Sequence, residues 1–188
     1  MISEQIVIKD QEKKILHQAI GKTAINIISD EKSNFFTDIA ESVWEINIVF
    51  SDYCIRIERE DINAKFFNGI EDGGRILIST TPIDESEIKS RKTINRIVRG
   101  VSIVNDTFEF PKAGYKITYP QAVIFHFDDC NLIVERWWIF SLEGLIVHLE
   151  PINAENFGLC DELSFWYQPD DPEVFPEKPI FTQNIEKL

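Results

Sequence analysis

The sequence predicts an α+β fold: two tandem, related helix-strand-hairpin-strand units, mainly antiparallel in their sheet, with the helices on one face. Three observations predict it. Residues 50–59, Phe-Ser-Asp-Tyr-Cys-Ile-Arg-Ile-Glu-Arg, return in altered form at 127–136 as Phe-Asp-Asp-Cys-Asn-Leu-Ile-Val-Glu-Arg. Gly21 and Gly100 each stand between a helix-like stretch and an apolar one. The segments that follow are joined by short connections, which favour antiparallel pairing. A self-match at fixed spacing is the mark of a repeated unit.

The first unit (1–81) opens with a helix capped at Asp10, whose Ile15, Leu16, Ala19 and Ile20 recur at helical spacing before Gly21. Thr23 to Ser29 then alternates as a strand, and 30–42 is a polar insertion with a short helix around Phe35 and Phe36. Trp44–Phe50 and Ile55–Arg59 form a hairpin. A loop carrying Asn68-Gly69 and Gly73-Gly74 leads to a last strand, Arg75 to Thr80.

The second unit (82–159) repeats that order and shares one core with the first. Asp84 with Glu87 reads as an acidic capping box, and Ile94, Ile97 and Val98 supply a helical stripe that Gly100 closes. Val101–Phe110 is the next strand, and 113–120 is an insertion containing Pro120. The hairpin is Gln121–Phe127 with Leu132–Phe140, and Leu145–Leu149 is the last strand. Residues 160–188 form an acidic, proline-rich tail, since four prolines among acids at 168–179 suit neither helix nor central strand. Leu163, Phe165, Trp166 and Tyr167 are too apolar for water and dock on the body.

The chain has 188 residues, 44% of them hydrophobic and 12% aromatic, which is enough to build a core. Its net charge is −13, and all three parts are acidic. That balance repels phosphate backbones and anionic bilayers, so neither nucleic acid nor membrane is an expected partner. A basic protein is. Cys54, Cys130 and Cys160 lack metal or disulfide spacing and read as reduced thiols of a cytoplasmic protein. No apolar run is long enough to span a bilayer, and the polar start is unlike a signal peptide.

The two hairpins differ in one respect. Strand alternation gives the first a core face of Ile46, Ile48, Phe50, Ile55 and Ile57, and a reverse face of Glu45, Asn47, Val49, Arg56 and Glu58 that suits solvent. The second has a matching core face of Val123, Phe125, Phe127, Leu132 and Val134. Its reverse face carries Ile124, His126, Ile133, Glu135, Trp137 and Ile139, so it is apolar where its counterpart is polar. Such a face needs a cover: the aromatic segment 163–167, a second copy, or a different protein.

Ile124, His126, Ile133, Glu135, Trp137 and His148 are therefore the candidate binding residues, with Trp137 the preferred contact and Trp166 its intrachain lid. No catalytic residue, metal site or cofactor is assigned. There is no phosphate loop, no nucleophile elbow and no cysteine beside a histidine. In acidity and size the chain resembles, in character only, the small α+β proteins that bacteria use to neutralise toxins. The resemblance implies a non-enzymatic, cytoplasmic protein-interaction module of the immunity type. Two alternatives stand beside it. One is a small-molecule binder or enzyme with a pocket near His126, Glu135 and His148. The other is a structural homo-oligomer sealed by the apolar face.

Overall fold

The computed structural model describes residues 1–29, 42–82, 88–141, 143–151, 159, 161, 163–167 and 177–188. The described elements run β1 (Ile2–Gln5), α1 (Asp10–Gln18), β2 (Thr23–Ser29), β3 (Ser42–Val43), β4 (Glu45–Val49), β5 (Cys54–Phe66) and β6 (Gly69–Thr81). They continue as β7 (Ser90–Ile97), β8 (Gly100–Phe110), β9 (Tyr115–His126), β10 (Cys130–Arg136), β11 (Leu145–Pro151), α2 (Leu163–Trp166) and β12 (Ile180–Lys187). Among the described residues strand accounts for 64% and helix for 9%, in two mainly antiparallel sheets with two short helices. This corrects the α+β expectation, because among the described residues no layer of helices covers a sheet face.

The five-stranded sheet runs β6-β5-β4-β2-β7. The seven-stranded sheet runs β12-β8-β9-β10-β11-β3, with β1 parallel to the start of β9. Each contains a four-strand meander, β2-β4-β5-β6 in one and β8-β9-β10-β11 in the other. Sheet membership crosses the 81/82 boundary: β1 and β3 join the larger sheet, and β7 joins the smaller.

The largest local correction is the second helix. Residues 83–87, with the Asp84–Glu87 capping pair, lie outside the described residues, but 90–97 is strand β7. Ile94, Ile97 and Val98 are three β-branched residues, too few to separate a helical stripe from a strand. Pairing with β2 decides between them, because it closes an edge that β2 would otherwise expose. Ile94 and Val98 enter the core, while Ile97 is exposed. Gly100, expected to end that helix, opens β8 opposite His126.

Two expected loops are strand. Gly73-Gly74 lies inside β6, where the Ile139 backbone and the Arg59 side chain leave no room for a Cβ. Residues 115–120 belong to β9, and Pro120 sits beside Gln121, the extra residue of a bulge opposite Val104 and Asn105. A bulge is where a strand tolerates a missing N–H. The insertion at 30–41, with Phe35 and Phe36, lies outside the described residues. The tail is also more ordered than expected at its end, since β12 pairs with β8 over eight consecutive positions.

The first helix forms close to where its periodicity puts it. Lys9 is the N-cap, and its backbone N–H donates to Glu12 Oε2 at 2.6 Å. Glu12 also receives Arg75 Nη1 at 3.0 Å with both side chains buried, which anchors α1 to β6. Leu16 and Ala19 plug the core from that side.

Both hairpins feed one core. Ile46, Ile48, Phe50, Ile55 and Ile57 from β4–β5 and Val123, Phe125, Phe127, Leu132 and Val134 from β9–β10 belong to a single buried cluster. Their turns close alike: Phe50 N–H donates to the Tyr53 carbonyl and Phe127 N–H to the Cys130 carbonyl, each at 2.9 Å. A second, aromatic cluster gathers Phe108, Phe110, Tyr115 and Tyr119 of the larger sheet with Trp166.

Candidate functional site

The turn at Phe127–Cys130 sets Asn131 opposite His126, Ile133 opposite Ile124 and Glu135 opposite Ala122. On the other side of β10, His148 lies opposite Ile133, and Ile146 opposite Glu135. Alternation sends all of these to the outer face of the larger sheet, away from the shared core. On β8 the same face carries Ser102, Val104, Asp106 and Phe108, by their register with β9.

This face is largely interior. Ile124 and Ile133 are 0% exposed and cluster with Val104 and Ala122, and Leu159 packs on them. Farther along, Trp166 of α2 is fully buried, stacked 5.1 Å from Phe108 with its Nε1–H donating to Tyr119 Oη at 2.8 Å. Residues of the C-terminal part therefore cover much of the face. Ile124 and Ile133 are packing residues that a partner cannot reach with this cover in place. Trp137 is 38% exposed, and its neighbour is Phe165, at 6.1 Å, rather than Trp166. Phe165 also stacks on Trp138 at 5.8 Å, and Tyr167 is exposed.

The two histidines do not meet. β10 lies between their strands. His126 Nδ1 is 2.7 Å from Asn131 Oδ1, and Nε2 is 2.8 Å from Ser102 Oγ. A carboxamide oxygen only accepts, so Nδ1 donates to it, and in the neutral ring the Nε2 lone pair is left to receive the Ser102 hydroxyl. That is the orientation in which an imidazole activates a serine. Ser102, however, is only 1% exposed.

His148 Nε2 approaches Glu135 Oε1 at 3.1 Å, and Nδ1 lies 3.1 Å from Glu150 Oε1. The first is a charge contact without hydrogen-bond alignment. Burial works to lower the His148 pKa, but the two carboxylates outweigh it and the value is raised. The stability it contributes is present below the unfolded-state value and is lost as pH rises through the folded one. The two carboxylates approach different ring nitrogens, so they share no point at which a metal could sit. Among the described residues no His, Cys, Asp or Glu group of three or more converges as a metal-ligand set.

A third polar group is Asp106, which is 1% exposed. Gln183 of β12 donates to Asp106 Oδ1 at 2.9 Å and to Gln121 Oε1 at 3.3 Å. Burial pushes the Asp106 carboxyl up to about 6, against the Gln183 hydrogen bond and nearby Arg136, while Glu135 adds to the rise. On the opposite, inner face, a groove of about 310 Å³ is lined by residues that include Gln5, Asn105, Thr107, Thr118 and Asn184.

Sequence reasoning missed Ser102, Asn131, Asp106, Gln183 and Glu150. Asn131 was within reach, because the turn alone sets it opposite His126. Ser102 depends on the bulge at Gln121, which shifts the β8–β9 register beyond Asn105, and Asp106 on its contact with β12. Gln183 depends on β12, which was read as tail. The expected pocket around His126, Glu135 and His148 divides into two separate polar clusters, Ser102–His126–Asn131 and Glu135–His148–Glu150. No family model, curated protein or solved structure matches this chain.

Proposed function

We propose that the protein is a non-enzymatic protein-interaction module of the cytoplasm that meets a basic partner, toxin neutralisation being one such role. The observation that carries this is Trp137. The apolar outer residues Ile124 and Ile133 of the second hairpin are covered, but this indole is left 38% exposed, beside Phe165 and with Tyr167 also open to water. Aromatic side chains left at a surface are the usual energetic centres of interfaces. The net charge of −13 steers and accelerates encounter with a basic protein.

The test uses the product of the neighbouring reading frame, or a basic protein retained from the native host. Its affinity for the wild type is compared with that for Trp137→Asp at low and high salt. The reading expects salt-sensitive binding that the variant loses while its melting curve is unchanged. Equal binding by a folded Trp137→Asp, or the absence of any basic partner, would end it.

A second reading, an enzyme or small-molecule binder, draws on the hydrogen-bonded chain Ser102–His126–Asn131. A serine-directed fluorophosphonate should then label Ser102, and Ser102→Ala should abolish the label. A wild-type chain that takes no label removes this reading.

A further inference from the structure

We infer that β12 is a dimer edge: two copies pair their last strands antiparallel about a two-fold axis through Gln183, joining two sheets into one. Along one side β12 is fully used, from Ile180 opposite Glu109 to Lys187 opposite Ser102. On the other side it ends the sheet, and no described strand pairs with it. Every residue from Ile180 to Ile185 is exposed, including Ile180, Phe181 and Ile185 at 56%, 39% and 41%. Edge strands are normally blunted by proline, lysine or a bulge. Ile180–Lys187 contains no proline, carries one lysine at its very end, and pairs with β8 without a register shift. It is a template for another strand.

The occupant is identified by the strand's own pattern. In an antiparallel self-pair about an axis normal to the sheet, a residue and its opposite must lie on the same face. Only registers centred on a residue satisfy this. Phe181, Gln183 and Ile185 share the outer face, opposite Phe108, Asp106 and Val104. Centred on Gln183, Phe181 of one copy faces Ile185 of the other, twice, with the two glutamines between them. Aromatic against β-branched is a favourable cross-strand pair. On the inner face Thr182 meets Asn184, and both can donate and accept. Centring on Thr182 would oppose Phe181 to Gln183 and Ile185 to Pro179. Centring on Asn184 would oppose Phe181 to Lys187. Among these three centres, Gln183 alone opposes two apolar residues that both lie within β12.

The opposing force is charge, since each copy carries −13. Salt screens that repulsion, so the dimer strengthens as ionic strength rises. This is the reverse of the salt dependence expected for a basic partner at Trp137. The inference does not rest on the partner-binding reading, because β8 and β9 separate β12 from β10.

Sedimentation of the whole chain at sub-millimolar concentration tests it, at low and high salt, for wild type and Ile185→Lys. The expected result is a wild-type dimer that grows with salt and an Ile185→Lys monomer with an unchanged melt. A parallel oxidation compares Gln183→Cys with Thr182→Cys against the parent chain, and Gln183→Cys should cross-link copies faster. A wild-type monomer at every salt concentration, a dimer that survives in Ile185→Lys, or faster linkage at 182 would each overturn it.

Discussion

The hairpins at 45–58 and 122–135 share a turn hydrogen bond, a register and an inward set of side chains, yet at three matched outward positions polar residues in the first are apolar in the second. In the first, Glu45, Asn47 and Arg56 form a partly exposed polar network, with Arg56 3.3 Å from both Glu45 and Asn47. At the matching positions of the second stand Ala122, Ile124 and Ile133, buried under Leu159. The comparison teaches that inward residues fix a hairpin's place in the core, while outward residues record what lies on top of it. Three substitutions on an unchanged backbone pattern turn a part-exposed polar patch into an apolar, interior one.

The strongest way to break the comparison is to exchange the outward residues. Ile133→Arg puts an unpaired charge under Leu159 and should cost more than about 4 kcal/mol, or prevent folding. Arg56→Ile removes a surface pair and should stay within about 1 kcal/mol. Urea unfolding of both variants measures the asymmetry. The inward counterparts should behave alike: Phe50→Ala and Phe127→Ala should each cost about 3–5 kcal/mol by the same assay. A large difference between those two would mean that the shared turn does not confer a shared role.

Asp106 sharpens the comparison through pH, because the first hairpin's sheet has no buried acid at the corresponding place among the described residues. Its folded-state pKa of about 6 lies above the ordinary value of 3.8, so the carboxyl stabilises the fold least once it is ionised. That contribution is whole below the unfolded-state pKa and is lost as pH rises through about 6. Asp106→Asn keeps an acceptor for Gln183 and should stabilise the protein by up to about 3 kcal/mol at pH 8. The gain should vanish near pH 4, which thermal melts across that range would show. The smallest effect is expected of Trp137→Asp, under about 1 kcal/mol on unfolding, since its side chain is part-exposed.

Much of the inner architecture was legible. Period-two alternation named the core residues of both hairpins, because alternation depends only on the chain itself. The pairing of Asn131 with His126 follows from the same turn. What stayed hidden depended on partners distant in sequence. Ser90–Ile97 carries a pattern that helix and strand both satisfy, and only the free edge of β2 decides between them. Pro120 and Gly73-Gly74 are breakers by local rule, but a bulge and a close crossing accommodate them. Gly144 is tied to a distant partner in the same way, since a Cβ there would overlap the Val43 carbonyl of β3, the strand paired with β11. The apolar outer face is legible as needing a cover, and 163–167 as one candidate for it; that Trp166 lands on Phe108 and Tyr119 while Leu159 seals Ile124 and Ile133 is not, because nothing local specifies it. The clusters around His126, His148 and Asp106 rest on registers among four or five strands, which no local pattern encodes.

Thiol labelling tests the central asymmetry most directly. Cysteine is placed at 56 or at 133, matched positions on the two outward faces, and its reaction with a soluble disulfide is timed against the parent chain. The account predicts that the thiol at 56 reacts in the folded protein, whereas the thiol at 133 stays protected until the chain unfolds. Equal rates at the two positions in folded protein would contradict it.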